Sequence, residues 1–192
     1  MIDESFHIPV LTEEVIDFLL VKKSGTFLDV TSGFGGHSAA ILEELNGGSL
    51  IATDQDPEAI RFLKSKFKTE ERISIHQARF SELHKLFSAN DFDGILADIG
   101  VSSYQLDTAE RGFSFMKDGP LDMRMSKNGT SAVQVINEHK EDDLADIIFN
   151  FGEEKRARRI ARAITQARTK TPITRTLDRK STRLNSSHQI IS

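Results

Sequence analysis

A short apolar run, Phe27-Leu-Asp-Val30, breaks into glycines at 33, 35 and 36 and then into a helix-compatible stretch, Ser38-Ala-Ala-Ile-Leu-Glu-Glu-Leu45. No other segment restricts the fold so tightly. Strand, glycine turn and helix in that order bring backbone close to a ligand without an intervening Cβ. They also aim a helix N-terminus, with its unbonded N–H groups, at whatever is bound. About twenty residues further on, the distance a nucleotide site asks for, Leu50-Ile-Ala-Thr-Asp54 is a second strand ending in an acid. A carboxylate there can accept both hydroxyls of a ribose. The two segments together predict a site for an adenosine-bearing cofactor.

Two features select among such cofactors. A dinucleotide fingerprint wants G-x-G-x-x-G/A, its third small residue packing helix on strand. Gly33-Phe-Gly35-Gly36-His-Ser38 puts serine at that third place. Asp29, inside the first strand, suits a cationic amino-acid ligand better than a pyrophosphate. S-adenosylmethionine is therefore favoured over NAD. An NAD-dependent oxidoreductase is the alternative, although no obvious catalytic His or Tyr-Lys set accompanies it. A tight turn without ligand would explain the glycines but not Asp29 and Asp54.

The rest of the first hundred residues repeats the alternation. Thr12 is a plausible cap for a helix to about Leu20. Asp56 caps a helix with Pro57 in its first turn and Ala59, Ile60, Leu63 and Phe67 along one face. Arg72–His76 is a third strand, followed by a helix capped by Ser81 with Leu83, Leu86 and Phe87 inward. Asp93-Gly-Ile-Leu-Ala-Asp98 is a fourth strand ending in an acid. Strands alternating with helices predict an α/β fold with parallel βαβ units, whose ligands gather at the carboxyl ends of the strands. Asp29, Gly33, Asp54, Phe80 and Asp98 all fall at that edge.

After residue 100 the pattern changes. Segments 99–107 and 111–125 predict ordered loop, 131–137 and 141–151 helices, and Glu153 to about Lys170 a longer helix. Its apolar line is Ala157, Ile160, Ala161 and Ile164; Lys155, Arg156, Arg158, Arg159, Arg162 and Arg168 lie on its other face. Residues 151–192 hold 11 Lys/Arg against 3 Asp/Glu, whereas the whole chain has 25 against 29. That asymmetry points to an anionic partner for the C-terminal part; a solvated helix face is the plainer account. A chain of 192 residues is one ordinary domain, or one plus part of another. No apolar stretch approaches the roughly 20 residues of a membrane helix, and the acidic N-terminus is unlike a signal peptide. No cysteine is present and the six histidines lack ligand spacing, so neither metal nor membrane is expected, and the cytoplasm is.

Beyond the generic pattern, several stretches carry a family likeness. They are His7-Ile-Pro-Val-Leu, Gly35-Gly-His-Ser38, Asp54-Gln-Asp-Pro57, Asp98-Ile-Gly-Val-Ser-Ser-Tyr-Gln105, Arg111-Gly-Phe-Ser-Phe115, Gly119-Pro-Leu-Asp-Met-Arg-Met125 and Gly152-Glu-Glu. Together they resemble, in order from His7 to about Thr176, the bacterial small-subunit rRNA cytosine-N4 methyltransferases (the RsmH or MraW family). The resemblance implies a class I methyltransferase core, Rossmann-like, with a helical domain inserted after the fourth strand. It implies transfer of a methyl group from S-adenosylmethionine to N4 of a cytidine in the P-site region of 16S rRNA. Carried over by position, Gly35, Gly36, His37, Asp54, Phe80, Asp98 and Gln105 would contact the cofactor, His37 and Gln105 on the resemblance alone. Tyr104 stands where the family usually has proline, and Ser32 where it has leucine.

Residues 1–103 are thus expected to be the N-terminal part of the core, with strands one to four only. Residues 104–177 would be part of the helical, RNA-facing insert. The stretch from residue 178 resembles translated adapter read-through and is set aside as a non-native tail. The family's chain continues past Thr176 with the rest of the insert and strands five to seven, which leaves strand four an uncovered edge and an aggregation hazard. Asp98 is expected to accept an N4 proton, assisted by Ser102, Ser103 or backbone carbonyls; an equal alternative is that it only binds cofactor. Tyr104, Phe113 and Phe115 are candidate stacking residues, although packing is the better reading for the two phenylalanines. Arg111, Arg158, Arg159 and Arg162 are candidate RNA contacts. The small ribosomal subunit or its bare rRNA is the expected partner. A non-catalytic RNA-binding module remains an alternative, and the oligomeric state stays open, a homodimer being one option.

Overall fold

The computed structural model describes residues 9–19 and 22–178; His7 and the tail beyond Asp178 lie outside them. The chain divides into two compact units after Ser102. The first carries α1 (Thr12–Leu19), β1 (Thr26–Asp29), α2 (Gly36–Glu44), β2 (Ser49–Asp54), α3 (Pro57–Lys66), β3 (Ile73–Gln77) and β4 (Gly94–Leu96). The strands form one parallel sheet in the order β3-β2-β1-β4. The chain steps outward from β1 through β2 to β3 and then returns to β1's other side. That reversal makes the crevice between the β1 and β4 ends the topological switch point where such sheets bind ligands. This is the expected Rossmann-like arrangement.

Apolar side chains buried on both faces stabilise the sheet. Phe27, Ile41, Leu42, Leu45 and Leu50 form a core cluster, with Ile16, Leu19, Phe67, Ile73 and Leu96 packed against it. Ala59, Ile60 and Leu63 of α3 are also buried. Asp56 caps α3 through Glu58 N–H at 3.0 Å, with Pro57 in the first turn, as expected. Among the described residues β4 pairs only with β1 and forms the edge of the sheet, and its Ile95 is 50% exposed.

Four local expectations need correction. The segment after β3 is a 3-10 helix, Phe80–Lys85, entered from Arg79 rather than capped by Ser81. Leu83 is buried, but Leu86, the C-cap residue just past the helix, is 55% exposed. β4 stops at Leu96. Asp93 instead accepts Thr26 N–H at 2.9 Å, and Asp98 lies two residues past the strand. Where loop was expected, Ser103–Asp107 forms the short helix α4. The long basic helix begins at Ala157, not Glu153, since Glu153 takes a left-handed conformation at φ 50° and ends the preceding helix.

The second unit adds α5 (Ala132–Glu138), α6 (Glu141–Gly152) and α7 (Ala157–Arg168). Ser131 and Gln134 form a capping box at the start of α5. Leu121, Ile136, Leu144, Ala145, Ile160, Ala161, Ile164 and Ile173 make its core. The 111–125 loop is ordered by bonds within it and to residues 174–176. Asp122 grips Arg124 with both oxygens, Thr176 Oγ1 accepts Gly119 N–H at 3.1 Å, and Leu121 N–H donates to Thr174 O at 2.9 Å. Among the described residues no helix is long and apolar enough to cross a membrane.

Candidate active site

The glycine turn follows β1. Gly33 and Gly35 hold φ of 49° and 72°, a region side-chain-bearing residues rarely adopt. The space freed by the missing side chains is put to a different use from the one expected. A Cβ on Gly35 would lie 2.7 Å from Leu63 Cδ2 and 2.8 Å from Phe67 Cε2, and one on Gly36 would lie 3.1 Å from the Pro9 ring. These two glycines let α3 and the segment before α1 close on the turn. Only at Gly33 is the turn open, with nothing nearer than Thr31 O at 3.9 Å.

Three acids meet this turn. Asp54, at the end of β2, accepts Gly33 N–H on Oδ2 and Asp56 N–H on Oδ1, both at 2.8 Å. Burial pushes its carboxyl above the usual range, against those two bonds. A carboxylate has room for about four donors, which suits the pair of hydroxyls on a ribose.

Asp29 is 1% exposed. Its Oδ2 accepts the Ser38 hydroxyl at 2.7 Å and its Oδ1 accepts Thr31 N–H at 3.2 Å. It therefore serves the turn and the first turn of α2 rather than standing open to a cationic ligand, which corrects the expectation from sequence. Burial raises its pKa to about 6 from 3.8, opposed chiefly by the Ser38 hydroxyl. Since the folded value lies above the unfolded one, this group's stabilising contribution is complete below about pH 4. It is lost as pH rises through about 6. Asp29→Asn should abolish that loss. Relative to the variant, the wild type should lose on the order of 3 kcal/mol between pH 4 and pH 7 in urea unfolding; parallel profiles would show that burial does not govern Asp29.

Asp98 lies beyond β4 with its side chain 53% exposed, Oδ2 standing 3.8 Å from His37 Nδ1. His37 Nε2 is 2.9 Å from Val10 O. A carbonyl only accepts, so the proton of that bond sits on Nε2. The Asp98 backbone N–H donates to Thr31 Oγ1 at 2.7 Å. Phe80, 57% exposed, opens the 3-10 helix after β3. The carboxyl side of one sheet thus brings together Gly35, Gly36, His37, Asp54, Phe80 and Asp98. Ser102 closes the first unit. Gln105, 5% exposed on α4, and the half-buried Ser103 and Tyr104 belong to the second.

The expected RNA contacts divide. Arg158, Arg159 and Arg162 are exposed on α7, and Arg162 Nε reaches Glu141 Oε1 at 3.4 Å. Arg111 is 4% exposed. Its guanidinium donates to the carbonyls of Arg124 and Met125 at 3.1 and 2.9 Å, so it ties the loop together instead of reaching outward. Arg168, placed on the basic face from sequence, turns inward to the carbonyls of Ile136 and His139. Of the phenylalanines, Phe113 is packed at 7% exposure, whereas Phe115 is 64% exposed. Among the described residues no cluster of three or more His, Cys, Asp or Glu could hold a metal ion.

The family model for the MraW methylase family matches residues 4–185. The chain belongs to the MraW methylase family. The match runs several residues into the tail expected to be non-native. A ribosomal RNA small subunit methyltransferase H of Xanthomonas euvesicatoria is 50% identical over 172 residues, 88% of this chain and 51% of the relative. Its namesake in Acidobacterium capsulatum is 49% identical, covering 84% and 58%. The chain therefore spans about half the length of the curated relatives it matches. Among solved structures, P. horikoshii TYW2, crystallised in complex with MeSAdo, is 21% identical over 62% of this chain and 44% of its own. Its TM-score is 0.38, at which the likeness carries no argument. Membership in the MraW family, with the parallel sheet, makes this a class I methyltransferase core and weighs against the dehydrogenase.

Proposed function

We propose that this chain carries the cofactor-binding half of an S-adenosylmethionine-dependent methyltransferase acting on N4 of a cytidine in 16S rRNA of the small subunit. Family membership gives the reaction class. The observation that carries the site is the glycine turn holding acids on both sides: Asp54 through Gly33 N–H and Asp98 through Thr31 Oγ1. Asp54 would accept the ribose hydroxyls. His37, Phe80 and Gln105 complete the set that the family likeness assigns to the cofactor.

Bound S-adenosylmethionine supplies a methyl group on a sulfonium, a strong electrophile that needs no metal. The residues must then manage a poor nucleophile, since the N4 lone pair of cytosine is delocalised into the ring. Asp98 Oδ would accept one N4–H, turning the amine so that its lone pair leaves conjugation with the ring. Ser102, Ser103 or nearby carbonyls would take the second N–H. Holding nucleophile and methyl in line supplies several kcal/mol, up to about 7–11 in favourable cases. The target must be unstacked, which single-stranded or looped RNA permits at low cost. Tyr104 and the exposed Phe115 are the candidate platforms, and Arg158, Arg159 and Arg162 the phosphate contacts.

Calorimetric titration of the 192-residue chain with S-adenosylmethionine, and in parallel with NAD, tests the cofactor assignment, with circular dichroism to establish folding. S-adenosylmethionine alone should bind. NAD binding in its place, or a folded chain that binds neither, would overturn the proposal. For the RNA assignment, replacing Arg158, Arg159 and Arg162 with glutamine should lower the slope of log affinity against log salt for single-stranded RNA by about 2, at roughly 0.7 per phosphate. An unchanged slope would remove α7 from the interface. Cytoplasmic residence and a homodimer remain part of this proposal, the latter open to sedimentation analysis.

A further inference from the structure

The ends of β1 and β4 are joined by a side chain with no assigned part in the site. The last backbone bond between the two strands runs from Val30 N–H to Leu96 O at 2.9 Å. One step beyond it, the Thr31 hydroxyl oxygen accepts Asp98 N–H at 2.7 Å. The bond extends the strand pairing by a side chain, to the residue on which the chemistry is proposed to depend. Asp98 needs such an anchor. It lies in exposed coil after a three-residue strand, and its half-exposed side chain is not fixed by packing.

Thr31 is itself held. Its N–H donates to Asp29 Oδ1 at 3.2 Å, and the other oxygen of Asp29 takes the Ser38 hydroxyl at 2.7 Å. Ser38 is buried and follows His37 on α2, and His37 Nδ1 faces Asp98 Oδ2 at 3.8 Å. Thr31, Asp29, the first turn of α2 and Asp98 therefore close a ring about the switch point. The adjoining Gly33 N–H holds Asp54 on the far side.

We propose that Thr31 is a positioning residue for Asp98: its hydroxyl fixes the Asp98 backbone so that the carboxylate stays at the switch point opposite His37. This rests on the reading of Asp98 as a cofactor and amine acceptor. It depends on the hydroxyl and not on side-chain shape. Valine has the shape without the acceptor, and serine has the acceptor without the shape.

The test compares wild type, Thr31→Val, Thr31→Ser and Asp98→Ala in the 192-residue chain. It measures S-adenosylmethionine affinity by calorimetry, hydrogen exchange of the Asp98 amide by NMR, and the urea midpoint. Thr31→Val should weaken binding about tenfold, the upper range for one hydrogen bond, and unprotect the Asp98 amide. Thr31→Ser should stay within about threefold of wild type with the amide still protected. Full affinity in Thr31→Val with a protected amide would overturn the inference. So would a lowered urea midpoint with unchanged affinity of the folded chain, the mark of a merely structural threonine. If Thr31→Val does not fold, Thr31→Ala takes its place. If wild type and Asp98→Ala bind alike, the reading of Asp98 fails instead, and amide exchange still decides whether Thr31 anchors it.

Discussion

Gly35→Ala should cost the fold about 2–5 kcal/mol. The φ of 72° penalises a side-chain-bearing residue by roughly 1–2 kcal/mol. The new methyl would also lie 2.7 Å from Leu63 Cδ2, and overpacking a closed site adds typically about 1–3 kcal/mol. Leu63 is fully buried, at 0% exposure, so it has nowhere to withdraw. Gly47 separates the two contributions, with φ 78° and nothing within 4 Å of the place a Cβ would take. Gly47→Ala should therefore show the conformational part alone. Urea unfolding of both variants gives the difference. A Gly35→Ala chain no less stable than Gly47→Ala would mean that α3 does not press on the turn.

The second large effect is on binding. Asp54→Ala should weaken S-adenosylmethionine by about a hundredfold, because hydrogen bonds to charged groups contribute roughly 1.5–3 kcal/mol each. The ribose hydroxyls would lose their acceptors, and Gly33 N–H and Asp56 N–H would lose theirs as well. Asp54→Asn keeps an acceptor on one side and should fall between the variant and wild type. Calorimetry decides. A loss below about threefold would remove Asp54 from the ribose site and leave it a structural acid, the role Asp29 already fills.

Much of this architecture is legible in the amino-acid order, for identifiable reasons. Strand runs such as Phe27–Val30 and Leu50–Asp54 are short and mostly apolar, the first with an acid inside it and the second ending in one, and the cap at Asp56 with Pro57 specifies where α3 begins. Such signals are local, and local structure follows them. What stayed hidden depends on partners distant in sequence. Gly35 reads as an opening for a ligand until Leu63 and Phe67 are seen to fill it. Arg111 reads as a phosphate contact because acceptors that hold it are backbone carbonyls 13 and 14 residues away, and carbonyls leave no mark in a sequence. Thr31 gave no signal beyond its place one residue past an apolar run. The 3-10 helix at Phe80–Lys85 escaped because leucines at 83 and 86 fit periods of three and of three to four equally well.

The left-handed Glu153 has a consequence for where charge sits. Were residues 141–168 one continuous helix, it would run about 42 Å at 1.5 Å per residue, acidic at one end and basic along the other. The reversal instead folds the acidic first turn of α6 back along α7. There Glu141 meets Arg162 at 3.4 Å and the Thr165 hydroxyl at 3.0 Å. The far half of α7 is partly neutralised in consequence. Where the hairpin turns, Lys155, Arg156, Arg158 and Arg159 outnumber Glu153 and Glu154, which leaves a positive surplus there. An incoming polyanion would feel a directed field that draws it to the tip and turns it there, so Arg158 and Arg159 should govern its arrival more than Arg162 does.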